Sequence, residues 1–170
     1  MRISTIAAFA AAILLASPAA AQADYAAREA RARSLLGPLI SEIGLAEMQE
    51  LRGVFRGNGF TAEEQVALER AFDAEIPGFV QFMQDKMIAS AARHVPIEQI
   101  REDADFDSPE WTAAGDEVTV WGRRGALDLV IRVTQQGCAV RPAPSEQCKT
   151  VMQRARDDLA ALGPEPVPTP

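Results

Sequence analysis

Apolar residues recur at intervals of three and four along most of this chain. That spacing constrains the fold more than any other feature, because it gathers them on one side of an α-helix. Leu36, Leu39, Ile40 and Ile43 follow it, and Met48, Leu51 and Phe55 repeat it with the aliphatic stem of Arg52 at the stripe's edge. Breakers and caps divide the pattern. Gly37-Pro38 predicts a start or a kink, Gly44 a break, and Gly57-Asn58-Gly59 a stop. Thr61-Ala62-Glu63-Glu64 carries a capping box, Thr61 as N-cap and Glu64 at N3, ahead of a helix that turns Leu68, Ala71 and Phe72 inward. Pro77-Gly78 predicts a division. Beyond it Phe79, Val80, Phe82, Met83, Met87 and Ala91 form the widest apolar face, which places that helix at the centre of the core. A Met and Phe stripe of this kind serves packing rather than a cofactor.

Further along, Pro96 opens a short helix through Ile97, Ile100 and Ala104. Ser108-Pro109-Glu110 opens another, with a hydroxyl N-cap, proline at N1 and an acid in the first turn. Residues 117–135 read two ways. Leu127, Leu129, Ile131 and Val133 alternate as in a strand, and Val118-Thr119-Val120-Trp121 before Gly122-Arg123-Arg124-Gly125 suits the first arm and turn of a hairpin. Leu127, Val130, Ile131 and Thr134 fit a helix equally well. A last helix carries Val151, Ala155, Leu159 and Leu162 and stops at Gly163, and residues 164–170 form a disordered, proline-rich tail.

The first 23 residues have the organisation of a cleavable export signal. Arg2 is the positive end, residues 6–16 are an uncharged apolar run, Pro18 interrupts it, and Ala21-Gln22-Ala23 meets the small-x-small rule for cleavage before Asp24. The apolar run is shorter than the ~20 residues that span a bilayer. Cleavage leaves 147 residues with 16 basic and 24 acidic side chains, enough for one domain with a real core over residues 24–163 and no membrane span. The acidic balance argues against nucleic acid or an anionic membrane as partner.

Cys138 and Cys148 agree with export to the periplasm. Nine residues separate them, including Pro142 and Pro144, and a disulfide across so short a loop is sterically easy in an oxidising compartment. Loop closure of that size contributes roughly 3 kcal/mol.

Arg93-His94, Glu98 and Phe106 with Ser108-Pro109 lie within residues 81–127, a stretch that resembles the bacterial exported family of domain of unknown function 2059. Asp105 stands where that family has an aromatic residue and Trp111 where it has glycine. The resemblance implies an all-helical exported domain and favours helix over hairpin for residues 117–135. It implies no activity. The Ser-Pro motif has its own physical reading, a helix restart onto which Phe106 can staple.

Few residues suggest chemistry. His94 is the single histidine, and Ser90 stands four residues before it on the same helical face. No Gly-x-Ser-x-Gly elbow surrounds Ser90, so His94 is expected to cap the last carbonyls or lie on a polar surface. Asp103, Asp105 and Asp107 have the alternate spacing of a calcium loop, but Ser108 and Ala114 replace its glycine and terminal glutamate. With Glu102 and Glu110 they read as a solvated acidic turn. One histidine and two paired cysteines provide no zinc set. Arg123-Arg124 is expected to pair with carboxylates, and Trp111 and Trp121 to lie in the core.

The expected architecture is therefore all-α, a single irregular bundle of about six helices with one disulfide, and no catalytic, cofactor-binding or metal-binding residues. The expected function is an exported, non-enzymatic interaction or envelope-associated module with a protein or envelope partner. The alternatives are a small periplasmic hydrolase of cell-wall material, signalled by a cleft joining His94 to a serine or acid, and a carrier with an apolar cavity lined by Phe79, Met83 and Met87.

Overall fold

A computed structural model describes residues 18–57 and 59–165, with the backbone alone described for residues 18, 39–47, 49 and 50. Residues 6–16, expected to be the apolar part of an export signal, and most of the proline-rich tail lie outside the described residues. The rest is all-α: α1 (Pro18–Gly53), α2 (Ala62–His94), α3 (Pro109–Cys138) and α4 (Glu146–Ala161), with 3-10 turns at Val54–Arg56 and Ile97–Gln99. With the two 3-10 turns, these four long helices agree roughly with the expected six or so. α2 packs on both α1 and α3, and α4 packs on α3. The segment with the widest apolar face is indeed central.

What differs is where the helices divide, because two of them run through their breakers. α1 continues past Gly37-Pro38 and Gly44, and α2 past Pro77-Gly78. A proline inside a helix removes one donor and strands the carbonyl four residues earlier. At Pro38 and Pro77 those carbonyls belong to Ser34 and Asp73, both on exposed residues, where water replaces the lost bond. Packing on either side then outweighs the local penalty. Leu36 and Met48 of the first stripe are buried, and the side chains of Leu39, Ile40 and Ile43 lie outside the described residues.

Two caps form as their residues dictate. Thr61 accepts from the Glu64 amide while the Glu64 carboxylate accepts from the Thr61 amide, a complete capping box. Ser108 accepts from the Trp111 amide, Pro109 occupies the first turn, and Phe106 packs on Trp111 with ring centroids 4.9 Å apart. The segment after Pro96 departs from expectation, turning once as a 3-10 element. Val95 and Ile100 are buried in the core, and Arg31 Nε donates to the Ile100 carbonyl at 3.0 Å, so that carbonyl is not left for a continuing helix.

Residues 117–135 are helical, part of an uninterrupted 30-residue α3. The glycines that suggest a hairpin turn have another use. A Cβ on Gly125 would lie 2.7 Å from the Phe82 ring, and one on Gly122 3.2 Å from Met83 Cε. They let α3 approach α2 closely. Phe79 and Phe82 close onto Gly125, and Met83 onto Gly122.

Two buried clusters result. The larger joins Met48, Phe55, Leu68, Phe72, Phe79, Leu129 and Val133 with the disulfide, and the smaller joins Ala32, Leu36, Ile88, Val95, Ile100 and Trp111. Cys138 and Cys148 are bonded and buried, linking the end of α3 to the first turn of α4.

Candidate functional site

Among the described residues the densest polar arrangement is built around Glu117 on α3. Its carboxylate accepts from Ser90 Oγ at 3.0 Å, Arg93 Nε at 3.2 Å, His94 Nε2 at 2.8 Å and Trp121 Nε1 at 3.3 Å, and Arg93 Nη2 also pairs with it closely. Ser90, Arg93 and His94 share one face of the last turns of α2, and Trp121 stands one helical turn beyond Glu117. Burial pushes the Glu117 carboxyl up, but hydrogen bonds from Arg93, His94 and Ser90, with the Arg93 charge, outweigh it and hold the group at about 2. Beside it Lys86 Nζ sits 3.4 Å over the Trp121 ring.

This convergence brings together the serine, histidine and acid that a hydrolase would use, in the wrong order. In a relay the imidazole stands between hydroxyl and acid, so that one nitrogen takes the serine proton while the other is held by the carboxylate. Here the acid stands between them. Ser90 is fully buried and its hydroxyl also lies 2.9 Å from the Ala114 carbonyl, an acceptor that competes for its single proton. Of the two expected placements of His94, capping or a polar surface, the structure has the second: the side chain is exposed and donates Nε2–H to Glu117. The arrangement can hold α2 against α3. It does not present a nucleophile to solvent.

Other predicted residues fall elsewhere. Trp111 and Trp121 are both buried. Among the described residues Arg124 pairs with no carboxylate. It is buried, and its Nη2 donates to the carbonyls of Gly163 and Pro164 at 2.7 and 3.1 Å, capping the end of α4 from α3. Arg123 is exposed. The acidic turn is a surface loop in which Asp103 pairs with Arg101 and Asp105 accepts from the Asp107 amide. Among the described residues no three His, Cys, Asp or Glu side chains converge to hold a metal, and no helix is long and apolar enough to cross a membrane. Comparison with family models, curated proteins and solved structures finds no match to this chain.

Sequence reasoning missed Glu117, Arg124 and the second use of Glu64, whose buried carboxylate also accepts from the Ser145 amide at 2.8 Å and so ties α2 to the start of α4. A signal for the first two exists once α3 is taken as a helix. Glu117 and Arg124 then fall on the inward stripe with Ala114, Trp121 and Gly125, two charges where apolar residues belong. Nothing local points to Ser145.

Proposed function

We propose that this chain is an exported, non-catalytic helical module that acts in the periplasm by contact with another protein or envelope component, as a divergent member of the exported family it resembles. The observation that carries this reading is the state of Ser90. The hydroxyl nearest the only histidine is buried and directed at acceptors inside the fold, so the polar cluster serves structure. The residues that carry the family resemblance support the same view. Arg93 and His94 hold Glu117, and Phe106 with Ser108-Pro109 sets the start of α3. Export is supported by the charged end, apolar run and Ala21-Gln22-Ala23 site, and by the disulfide.

Two measurements test it. Intact-mass analysis of periplasmic material is expected to give an N-terminus at Asp24, and retained Met1 would refute processing. A photo-crosslinking residue placed at Phe106 in living cells is expected to give a discrete adduct, while one at Val66, equally exposed on α2, gives none. Absence of an adduct, together with cell-wall hydrolysis that disappears in His94→Ala, would establish the hydrolase instead.

A further inference from the structure

We infer that Ala23–Asp24 is a processing bond of the folded domain: an endopeptidase selective for small side chains cuts it after α1 has packed, so the cut governs release of the domain and not its folding. This inference rests on the export reading above and says in which state the chain is processed.

The bond lies inside α1, which begins at Pro18, a residue suited to a first helical turn. A helical bond is a poor substrate, because its polar groups are engaged along the helix axis while a binding cleft pairs with extended backbone. The bond is cut either before α1 forms or where the helix opens at little cost. The exposure pattern makes the second route open. Residues 19–24 are exposed in succession, about one and a half turns, so every face of the helix lies open there. The pattern changes at the next residue. Tyr25, Arg28, Glu29, Ala32, Leu35 and Leu36 are half-buried or buried, at the spacing of three and four that lays one face on the body. The packed part of α1 therefore starts one residue beyond the cut.

The polar ties agree with that boundary. Arg28 Nη1 donates to the Arg93 carbonyl at 3.5 Å and Arg31 Nε to the Ile100 carbonyl at 3.0 Å, with Ala32 and Leu36 buried beside them. Opening the helix as far as Asp24 leaves these contacts in place and gives up the exposed pair of Asp24 with Arg28, at 2.8 Å. A free helix end propagates with a factor of only about 1–1.6 per residue, so fraying there is frequent. Hydrolysis adds water across the bond from the Ala23 carbonyl carbon to the Asp24 nitrogen, leaving a carboxylate on Ala23 and an ammonium on Asp24. An ammonium is unfavourable at a helix N-terminus, and the Asp24 carboxylate offsets it, supplying the first-turn acid that α1 lacks before the cut. The sequence carries its own control. Ala30-Arg31-Ala32 meets the same small-x-small rule, but Ala32 is fully buried and Arg31 is tied to Ile100.

The test uses the purified, disulfide-intact protein with Met1 retained, in detergent, and a synthetic peptide of residues 6–36 as a reference without tertiary packing. Elastase, whose small pocket accepts alanine, reads the helix independently of export. The folded protein is expected to be cut after Ala21 or Ala23 within about tenfold of the peptide's rate, and after Ala30 or Ala32 at least about a hundredfold more slowly than the peptide. Purified signal peptidase in the same detergent is expected to cut the folded protein before Asp24, again within about tenfold of the peptide, while the near-ultraviolet signal of buried Trp111 and Trp121 stays constant throughout. Ala23→Val should stop this cut in protein and peptide alike. Elastase that spares residues 19–24 or cuts equally at Ala32, a hundredfold deficit of signal peptidase on the folded protein, or loss of the near-ultraviolet signal before cleavage would overturn the inference and leave the export reading standing. If signal peptidase cuts neither protein nor peptide, both fall.

Discussion

Gly137 shows how closely two backbones are meant to approach. A Cβ there would meet Leu68 at 2.6 Å from Cδ2, 2.7 Å from Cγ and 2.8 Å from Cα, and the last of these belongs to the backbone of α2. Side-chain ends can swing aside, as Met83 can at Gly122, but a helix backbone moves only as a unit. Gly137→Ala gains up to ~1 kcal/mol of helix propensity and loses about 1–3 kcal/mol to overpacking, so the loss wins. Calorimetry is expected to show a lower Tm, by about 2–4 °C for each net kcal/mol. Gly115→Ala is the control. It lies in the same helix with nothing within 4 Å of an added Cβ, so the propensity gain stands alone and Tm should rise. Equal behaviour of the two variants would mean that α2 and α3 do not touch at Leu68. The same residues explain why a hairpin stays open to a reader of the sequence. Glycine is a turn signal only when chain direction changes, and contacts from another helix, invisible in local pattern, make Gly122, Gly125 and Gly137 packing residues instead.

At the level of elements, what was legible follows sequence distance. The Thr61–Glu64 box, the Ser108-Pro109 start and the Cys138–Cys148 bridge each span ten residues or fewer and were readable. The links Ser90–Glu117, Arg124–Gly163 and Glu64–Ser145 span 27, 39 and 81 residues, and local pattern names the partner in none of them, even where a charge on the inward stripe of α3 marks Glu117 and Arg124. Helix breakers misled for a related reason, since Pro38 and Pro77 break helices only if the freed carbonyl has nowhere to go. α4 depends most on long-range ties. Its buried side chains are Cys148 and Ala155, Val151 packs partly against the core, and the ties beyond these are the disulfide, Glu64 at its start and Arg124 at its end. Cys138→Ser with Cys148→Ser is therefore expected to cost roughly 2–3 kcal/mol and to speed amide exchange mainly beyond residue 136. Two free thiols in the native protein, or exchange unchanged in the double variant, would show that the bridge is not the tether.

For the whole molecule the two held carboxylates set the response to acid. At Glu64 burial pushes the carboxyl up, while donations from the Ser145 and Thr61 backbones and hydroxyls outweigh it, so this group, like Glu117, lies at about 2. Each value is depressed from an ordinary 4.5, so the unfolded chain takes up these protons first. The stability they contribute is complete above about 4.5 and is lost as pH falls from there through about 2. Position matters as much as magnitude. Glu64 joins α2 to α4 and Glu117 joins α2 to α3, so a tie from the central helix to each of the two C-terminal helices weakens in the same range. Urea unfolding is expected to keep its midpoint between about pH 7 and 5 and to lose it steadily below, with near-ultraviolet signal from buried Trp121 falling in the same window. Glu64→Gln and Glu117→Gln should each lower the neutral-pH midpoint and flatten part of the acid slope. A midpoint that rises on acidification, or variants with the slope of the parent, would mean that the two carboxylates do not hold the helices together.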